Sequence, residues 1–375
     1  MIEREIASFE QPVKIGLDGR MLIGNPTGVG RYVIELAKCL DELCPQAEFF
    51  IYSNKPITFL LPSNRWHVST GPLTVFEKMP ASLWYKLFVG RLCRRDQIDI
   101  FWAGATLLPF GLSPRTRVVS TVYDLVHKIA PETMATTLRF LHDVFFASDV
   151  RRADCVLAIS EGTSQRLKKF VGRKADGVVY PAVNDTFFPQ SKETVNDCLK
   201  RYKVSSPYLL AVATWEPRKN LELLIRTYVQ MRNSGLMSYQ LVLVGGKGWK
   251  DKRLTQIFEQ VSYNYVKPLG YVPDSDLPAL YTGAEVFIFP SKYEGFGIPV
   301  LEARVCGTQV ITTDIPELRE AGGESSIYIN PTKEGIWDGL LQAMKRKATP
   351  NIATPISWQT GATLLAKALF DIPLK

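Results

Sequence analysis

The chain has 375 residues, of which 46% are hydrophobic and 22% charged, with a formal net charge of +8 and a pI near 9.0. This length favours two α/β domains, each large enough to bury its own core. No run approaches the ~18 uncharged apolar residues of a membrane-spanning helix, and no secretory signal is expected. The positive charge predicts an anionic partner, but no DNA- or RNA-binding motif accompanies it, so nucleic acid is not expected.

Apolar runs that predict strands alternate along the chain with amphipathic segments that predict helices. The predicted strands are 13–17, 118–123, 155–159, 208–213, 241–244 and 286–289. In the first predicted helix, apolar side chains recur every three or four residues, at Val29, Val33, Leu36, Leu40 and Leu43. Such alternation is typical of parallel sheets covered by helices on both faces.

Turn-forming residues interrupt this pattern in the segment 180–189, before a second α/β series begins near Tyr208. We therefore predict one Rossmann-like domain over residues 1–185 and another over 190–356. Residues 357–375 predict a terminal helix. The six cysteines form no CxxC pair and several lie in apolar runs, so reduced thiols in a cytoplasmic protein are expected. The three histidines are too scattered to predict a metal site.

A glycine-containing turn joins the first strand to the first helix, with the sequence Thr27-Gly28-Val29-Gly30-Arg31-Tyr32. Gly28 and Gly30 would let a phosphate or an acceptor group approach the positive end of the helix. A plain helix-start turn remains the alternative.

The segment 83–95 combines aromatic and apolar residues with cations at roughly helical spacing. Such a segment can lie on an anionic membrane surface. A packing helix with a solvated basic rim is the equally supported alternative.

Two further loops follow predicted strands and carry polar residues. Asp124 and His127 follow strand 118–123, and a histidine there could stabilise developing charge. His67 and His142 are expected to be structural. Arg218 and Lys219 follow strand 208–213 and supply two cations at a helix start, which suits a diphosphate, although a surface ion pair is the alternative.

Two acidic pairs need different interpretations. Asp274 and Asp276 have the DxD spacing of a metal site, but one of them is better placed as the N-cap of the next helix, so no metal is predicted. Glu294 and Glu302 bracket Gly-Phe-Gly-Ile-Pro after the apolar strand 286–289.

Between Glu294 and Glu302, Pro299 suits the first position of a helix, and Glu302 would then lie in the first helical turn. Gly295 and Gly297 would leave amides uncovered for an anion. Carboxylates flanking bare amides fit a ligand that is part phosphate and part polyol, such as a sugar nucleotide.

The Glu294–Glu302 motif resembles the E-x7-E signature of retaining glycosyltransferases with the GT-B fold, and its continuation through Thr308 is similar to glycosyltransferase family 4. The resemblance covers nearly the whole chain and is strongest over residues 212–321. It implies two Rossmann-like domains facing across a cleft, with the terminal helix crossing back to the first domain. Ala213 departs from the family pattern, because many members carry an arginine there.

The resemblance also implies roles for individual residues. Lys219 and Arg218 would bind the donor diphosphate, Glu294 would orient the transferred sugar, Glu302 would bind the ribose, and His127 would assist near the sugar, so His127, Glu294 and Lys219 form the expected catalytic set. The expected donor-binding residues are Gly28, Gly30, Arg218, Lys219, Gly246, Val272, Glu294, Gly295, Phe296, Gly297, Ile298 and Glu302. The expected acceptor-binding residues are Arg31, Tyr32 and Asp124.

The function implied by the resemblance is a retaining, metal-independent hexosyltransferase without a cofactor. Members with a similar Glu-Pro-Arg-Lys-Asn segment and a terminal Ser-Trp often use GDP-mannose, so that donor is predicted. The predicted acceptor is a lipid-linked saccharide of a surface polysaccharide, at the cytoplasmic face of the membrane. UDP-glucose or another nucleotide sugar, a sugar-nucleotide epimerase or hydrolase, and a non-catalytic assembly subunit remain as alternatives.

Overall fold

The computed structural model describes residues 12–24, 28–70, 79–246, 257, 265–346 and 356–371. The chain divides into two compact units. Unit 1 comprises Met1–His127, Ala135–Ala182 and Ile356–Lys375, and unit 2 comprises Lys128–Met134 and Val183–Pro355. The division therefore falls slightly before the predicted boundary, and the segment Lys128–Met134 groups with unit 2.

Unit 1 is built on a parallel sheet. Its strands are β1 (Lys14–Asp18), β2 (Glu48–Tyr52), β3 (Trp66–Ser69), β4 (Ile100–Ala103), β5 (Arg117–Val122), β6 (Cys155–Ala158) and β7 (Gly177–Val178). Within the described residues they form one seven-stranded sheet in the order β3-β2-β1-β4-β5-β6-β7. The strand order reverses between β1 and β4, which is where open α/β sheets usually bind ligands.

The helices that precede Ala182 are α1 (Gly28–Leu43), α2 (Ala81–Arg95), α3 (Val126–Ile129), α4 (Thr136–Arg152) and α5 (Glu161–Val171). In α1, the predicted apolar stripe buries Val33, Leu36 and Leu40 against the core. The side chain of Ser160 caps α5 by accepting a hydrogen bond from the Thr163 amide, and Gly172 ends the helix in a left-handed conformation.

Helix α2 corresponds to the basic segment 83–95. It buries Trp84 and Tyr85, and the buried ammonium of Lys86 forms an ion pair with Asp149 of α4. Leu87 and Arg91 are exposed. One face of this segment therefore packs into unit 1, as the second of the two alternatives requires, while the opposite face stays open. None of the helices in the described ranges is long and apolar enough to cross a membrane.

Unit 2 is built on a second parallel sheet. Its strands are β8 (Tyr208–Val212), β9 (Gln240–Val244), β10 (Val266–Gly270), β11 (Val286–Phe289), β12 (Val310–Thr313) and β13 (Ile327–Ile329). In the described part of this unit the sheet has six strands in the order β10-β9-β8-β11-β12-β13. The order reverses between β8 and β11. The six strands predicted from apolar runs, three in each unit, are all present as β1, β5, β6, β8, β9 and β11. Their ends differ from the predicted ends by about one residue.

The helices of unit 2 are α6 (Lys192–Tyr202), α7 (Leu221–Asn233), α8 (Leu277–Gly283), α9 (Ile298–Val305), α10 (Pro316–Gly322) and α11 (Lys333–Lys345). They connect strands of one parallel sheet and cover its faces, as expected for an α/β fold.

The terminal helix α12 (Trp358–Leu369) returns to unit 1, as predicted. Its Trp358 ring lies edge-on to Tyr32 of α1, with ring centroids 5.8 Å apart. The Arg117 guanidinium at the start of β5 donates to the Ala368 carbonyl at 3.1 Å. Residues 372–375 of the predicted helix lie outside the described residues.

Candidate active site

The carboxyl ends of β8 and β11 bring two loops of unit 2 together at the point where the strand order reverses. The loop after β8 contains a 3₁₀ turn, Pro217–Lys219, and the loop after β11 runs from Pro290 to Gly297. The Lys292 amide donates to the Arg218 carbonyl at 2.9 Å, which joins the loops through their backbones. Because ligands of open α/β sheets bind at such a reversal, this is the candidate site of unit 2.

Glu294 is at the centre of the side-chain contacts between these loops. Its Oε1 accepts hydrogen bonds from Lys219 Nζ and from Ser291 Oγ, both at 2.6 Å. Its Oε2 accepts from Arg218 Nη1, also at 2.6 Å. The side chains of Glu294, Lys219 and Arg218 are only 10%, 12% and 16% exposed. The cluster is therefore a nearly buried carboxylate held between two cations.

The charges of this cluster stabilise one another. Burial would raise the pKa of the Glu294 carboxyl, but Arg218 and Lys219 outweigh burial and lower that pKa to about 2. Burial lowers the pKa of the Lys219 ammonium, and the adjacent Glu294 offsets part of this effect. Glu294 is therefore an anion at any working pH. Arg218 also pairs with Glu216, through Nη2 and Oε2 at 3.3 Å, so the cations predicted to bind a diphosphate are already engaged by carboxylates.

Helix α9 begins directly beside Glu294. Gly297 is its N-cap residue and has φ of 106°, and a Cβ there would lie 2.5 Å from Leu318 Cδ2, so this position requires glycine. Pro299 is the second helical residue, one position later than predicted, and Glu302 is the fifth, just beyond the first turn. Gly295, Phe296 and Gly297 are buried, while Ile298 is partly exposed.

Glu302 is held by a tyrosine that the sequence did not single out. The Tyr281 hydroxyl of α8 donates to Glu302 Oε2 at 2.8 Å, and both residues are buried. Tyr281 packs edge-on against Phe287, with ring centroids 5.3 Å apart. In the sequence, Tyr281 is one apolar residue of a short helix, so nothing local distinguishes it from the core. The same is true of Ser291, whose role depends on a carboxylate that it meets only in the folded loop.

The other predicted residues of unit 2 lie after β9 and between β10 and α8. Gly246 follows β9 and is partly exposed, and the rest of that glycine turn, 247–249, lies outside the described residues. Val272 is buried. Asp276 is the N-cap residue of α8, as predicted for one of the two aspartates, but its side chain makes no capping hydrogen bond. Its carboxylate instead accepts hydrogen bonds from Arg201 Nη1 at 2.8 Å and from the Tyr202 hydroxyl at 2.6 Å. These two partners take the place of the backbone amides of α8.

The predicted acceptor-binding residues of unit 1 do not form one surface. Tyr32 is buried, and its hydroxyl donates to the Val179 carbonyl at 2.9 Å, so its predicted acceptor role is wrong. Tyr32 is one of the buried residues of α1. Because it also lies in the glycine motif, the sequence analysis assigned it to binding and not to the core. Arg31 is partly exposed, and Asp124 Oδ1 accepts from the Val126 amide at 3.1 Å. Gly28 is exposed as the first residue of α1, whereas Gly30 is buried, and Thr27 lies outside the described residues.

His127 follows β5 and is only 3% exposed. Its ring lies 5.3 Å from that of His142 and 4.4 Å from that of Phe146. Burial, together with the neighbouring His127 and Arg20, lowers the pKa of His142 to about 3, so His142 is neutral. The sequence placed His142 among structural residues, and the structure brings it against the histidine that was expected to act in catalysis.

Arg20 is a third residue that sequence reasoning missed. It follows β1, where the strand order of unit 1 reverses, and its guanidinium forms a bidentate pair with Asp18 at 2.9 and 2.6 Å. The guanidinium also stacks 3.8 Å from the centre of the Tyr85 ring. Its position immediately after the first predicted strand is the signal that could have found it. Among the residues that the structure describes, no group of three or more His, Cys, Asp or Glu is placed to hold a metal ion.

The ion pairs of Glu294 predict an acid-sensitive unit 2. Because the folded state lowers the pKa of this carboxyl from 4.5 to about 2, Glu294 contributes stability that is present above pH 4.5 and is lost as the pH falls towards 2. We expect urea denaturation at a series of pH values to show a free energy of unfolding that decreases over this range, and Glu294→Gln to reduce the decrease. Glu222→Gln, in an exposed pair with Arg226, is the control. An unchanged pH dependence in Glu294→Gln would contradict this assignment.

Comparisons with known proteins agree with this architecture. A family model described as Glycosyltransferase Family 4 matches residues 26–187, and one described as Glycosyl transferases group 1 matches residues 200–352. The chain is 30% identical over 345 residues to the O-antigen chain mannosyltransferase B of Escherichia coli, an alignment that covers 88% of this chain and 90% of that protein.

Solved structures show the same fold at low sequence identity. Sucrose-phosphate synthase from Thermosynechococcus elongatus has a TM-score of 0.69 at 17% identity, covering 96% of this chain and 95% of that one. The Anabaena protein HepE in complex with UDP-glucose has a TM-score of 0.67 at 19% identity, covering 95% of each chain. The chain therefore belongs to the group 1, family 4 glycosyltransferases, and its two Rossmann-like units have the GT-B type of fold.

Proposed function

We propose that this glycosyltransferase moves a hexose from a nucleotide sugar to a saccharide acceptor, with retention at the anomeric carbon and without a metal ion. The observation that carries the proposal is the cluster of Lys219, Arg218 and Glu294 at the carboxyl ends of β8 and β11, beside the start of α9. Cations next to a helix N-terminus suit a diphosphate. A carboxylate beside them suits the hydroxyl groups of the attached sugar.

The proposed mechanism depends on stabilising the leaving group. As the bond from the anomeric carbon to the diphosphate breaks, Lys219 and Arg218 donate hydrogen bonds to phosphate oxygens on which negative charge develops. Before the donor binds, Glu294 is a carboxylate, because Arg218 and Lys219 hold its pKa at about 2. We propose that it orients hydroxyl groups of the sugar, and that the acceptor hydroxyl attacks from the face that the diphosphate leaves and gives its proton to the departing phosphate oxygen. Glu302, held by Tyr281, is proposed to bind the ribose, and His127 to assist at the sugar.

For the donor we propose GDP-mannose, and for the acceptor a lipid-linked saccharide of a surface polysaccharide. The name of the Escherichia coli relative, an O-antigen chain mannosyltransferase, supports mannose as the transferred sugar and a polysaccharide chain as the acceptor. UDP-glucose is the alternative donor. It is the ligand in the Anabaena structure, although that protein is too distant in sequence to carry more than the fold.

A thermal-shift panel of GDP-, UDP-, ADP- and dTDP-sugars tests the donor. A ligand present at about 100 times its dissociation constant stabilises the folded state by about 2.7 kcal/mol, which is readily measured. We expect GDP-mannose to give the largest shift. If no nucleotide sugar in the panel raises the unfolding temperature, the proposed function is wrong.

Replacing Lys219 tests the diphosphate site. Lys219→Ala removes one of two cations from the leaving group and should lower the transfer rate on the order of 10²–10³-fold. Lys292→Ala is the matched control, because Lys292 lies on the facing loop, is exposed, and joins that loop through its backbone amide. Transfer of labelled sugar and the circular dichroism of both variants are the measurements. Near-normal transfer by a folded Lys219→Ala would exclude it from the diphosphate site.

We further propose that unit 1 contacts an anionic membrane at the cytoplasmic face, through one surface of α2, α4 and the loop before β5. This surface exposes six large apolar side chains, those of Leu83, Leu87, Phe110, Leu138, Phe140 and Val144. The helices and the loop pack together through Lys86, whose ammonium lies 4.9 Å from the centre of the Phe110 ring and 4.4 Å from that of Phe145. Exposed Arg91, Arg94 and Arg95 supply the cations that anionic lipid headgroups attract.

Sedimentation with lipid vesicles tests this surface. We expect the protein to bind vesicles that contain phosphatidylglycerol more strongly than vesicles of phosphatidylcholine alone. Leu87→Ser and Phe140→Ser should each weaken binding, because each removes exposed apolar area that would enter the membrane interface. Leu236→Ser is the control, since Leu236 is equally exposed on unit 2. Equal binding to both kinds of vesicle, or equal loss in all three variants, would contradict the proposal.

A further inference from the structure

The two cations proposed to receive the donor diphosphate are bound by the carboxylate proposed to receive the sugar. Lys219 Nζ and Arg218 Nη1 each lie 2.6 Å from a different oxygen of Glu294. Ser291 Oγ adds a third hydrogen bond to the same carboxylate, at 2.6 Å. The cations that would bind a diphosphate, Lys219 and Arg218, are therefore already paired with Glu294. The contacts of Glu294 must change when the donor binds.

We propose that Glu294 makes this site select a nucleotide sugar over the bare nucleoside diphosphate. The inference rests on the proposed function and concerns affinity for two ligands of the same site. It assigns to Glu294 a specificity-determining role in addition to orienting the sugar.

The physical argument concerns what happens to the Glu294 carboxylate when phosphate oxygens take over the cations. If the carboxylate stays in place, it lies next to phosphate oxygens of the same charge, which is unfavourable. If it moves away, a nearly buried anion loses its ion pairs, and leaving a buried charge without partners costs several kcal/mol. In both cases, a diphosphate without hydrogen-bond donors for Glu294 binds with reduced affinity.

A nucleotide sugar removes most of that penalty. Its hydroxyl groups are hydrogen-bond donors, and a carboxylate accepts up to about four hydrogen bonds. Glu294 can then exchange its bonds to Lys219 and Arg218 for bonds to the sugar. The bare diphosphate has no such donors, and its terminal phosphate adds negative charge near the carboxylate. The nucleotide sugar is therefore favoured on entry, and the diphosphate is disfavoured once the sugar has been transferred.

Glu216 provides a comparison that is built into the site. Its carboxylate also pairs with Arg218, at 3.3 Å, and accepts a hydrogen bond from Thr214 Oγ1 at 3.2 Å. Removing either carboxylate removes one negative charge near the same guanidinium. If only the total charge of the site mattered, Glu216 and Glu294 would influence the two ligands alike. The exchange of partners is expected for Glu294 alone.

Calorimetric titration of GDP and GDP-mannose tests the proposal, or of UDP and UDP-glucose if the thermal-shift panel selects that pair. In the wild type, the nucleotide sugar should bind more tightly. Glu294→Gln should bind the bare diphosphate more tightly than the wild type does, and should reduce the preference for the nucleotide sugar by about tenfold or more. Glu216→Gln should change both affinities by similar factors and keep the preference.

A second measurement needs no substitution and remains available if Glu294→Gln does not fold. The methyl ester of GDP has the same diphosphate charge as GDP-mannose but lacks the sugar hydroxyls. It should bind the wild type more weakly than GDP-mannose does, because it offers no hydroxyl donors to Glu294. If it binds as tightly as GDP-mannose, or if the preference survives in a folded Glu294→Gln, the proposal is overturned.

The outcomes also separate this inference from the proposed function. If the wild type binds neither member of the pair, the donor assignment fails and the inference fails with it. If the wild type binds both members equally and still transfers the sugar, the proposed function stands and the role of Glu294 in selection is wrong.

Discussion

The ion pairs of Glu294 with Lys219 and Arg218 are the contacts on which unit 2 depends at its candidate site. They join the loops that follow β8 and β11, and three nearly buried charges are tolerable there only because each has a partner of opposite sign. The loop after β11 leads directly into α9, so the same contacts fix where that helix starts. The position of Glu302, eight residues further along the chain, follows from that start.

The two carboxylates of the motif are held in physically different ways. Glu302 accepts a hydrogen bond from the neutral hydroxyl of Tyr281 in a buried setting. Glu294 is held by two full charges and a hydroxyl, so any anionic ligand competes for its partners. Glu302 is therefore held by a neutral donor, whereas Glu294 is held by cations for which an anionic ligand would compete.

The sequence predicted the strands and the motif at their ends because both signals are local. Apolar runs gave β8, β9 and β11 to within about one residue, and the spacing of Glu294 and Glu302 led to the correct family. Contacts between distant residues were beyond such reasoning. The partners of Glu294 lie 75 and 76 residues away in the chain, and the hydrogen bond of Tyr281 spans 21 residues. The error at Tyr32 and the missing side-chain cap at Asp276 have the same origin, since distant partners decide where these side chains lie.

Both units place an arginine in an ion pair where the strand order reverses, but the two pairs differ in what a ligand could change. In unit 1, Arg20 pairs with Asp18, two residues before it, and stacks on Tyr85. Because Asp18 is the last residue of β1 and Arg20 follows it by two residues, the chain itself keeps these partners close together. In unit 2, Arg218 and Glu294 come from separate loops and lie 76 residues apart in the chain, so no short turn keeps them together. Exchange of partners is therefore expected at the second pair and not at the first.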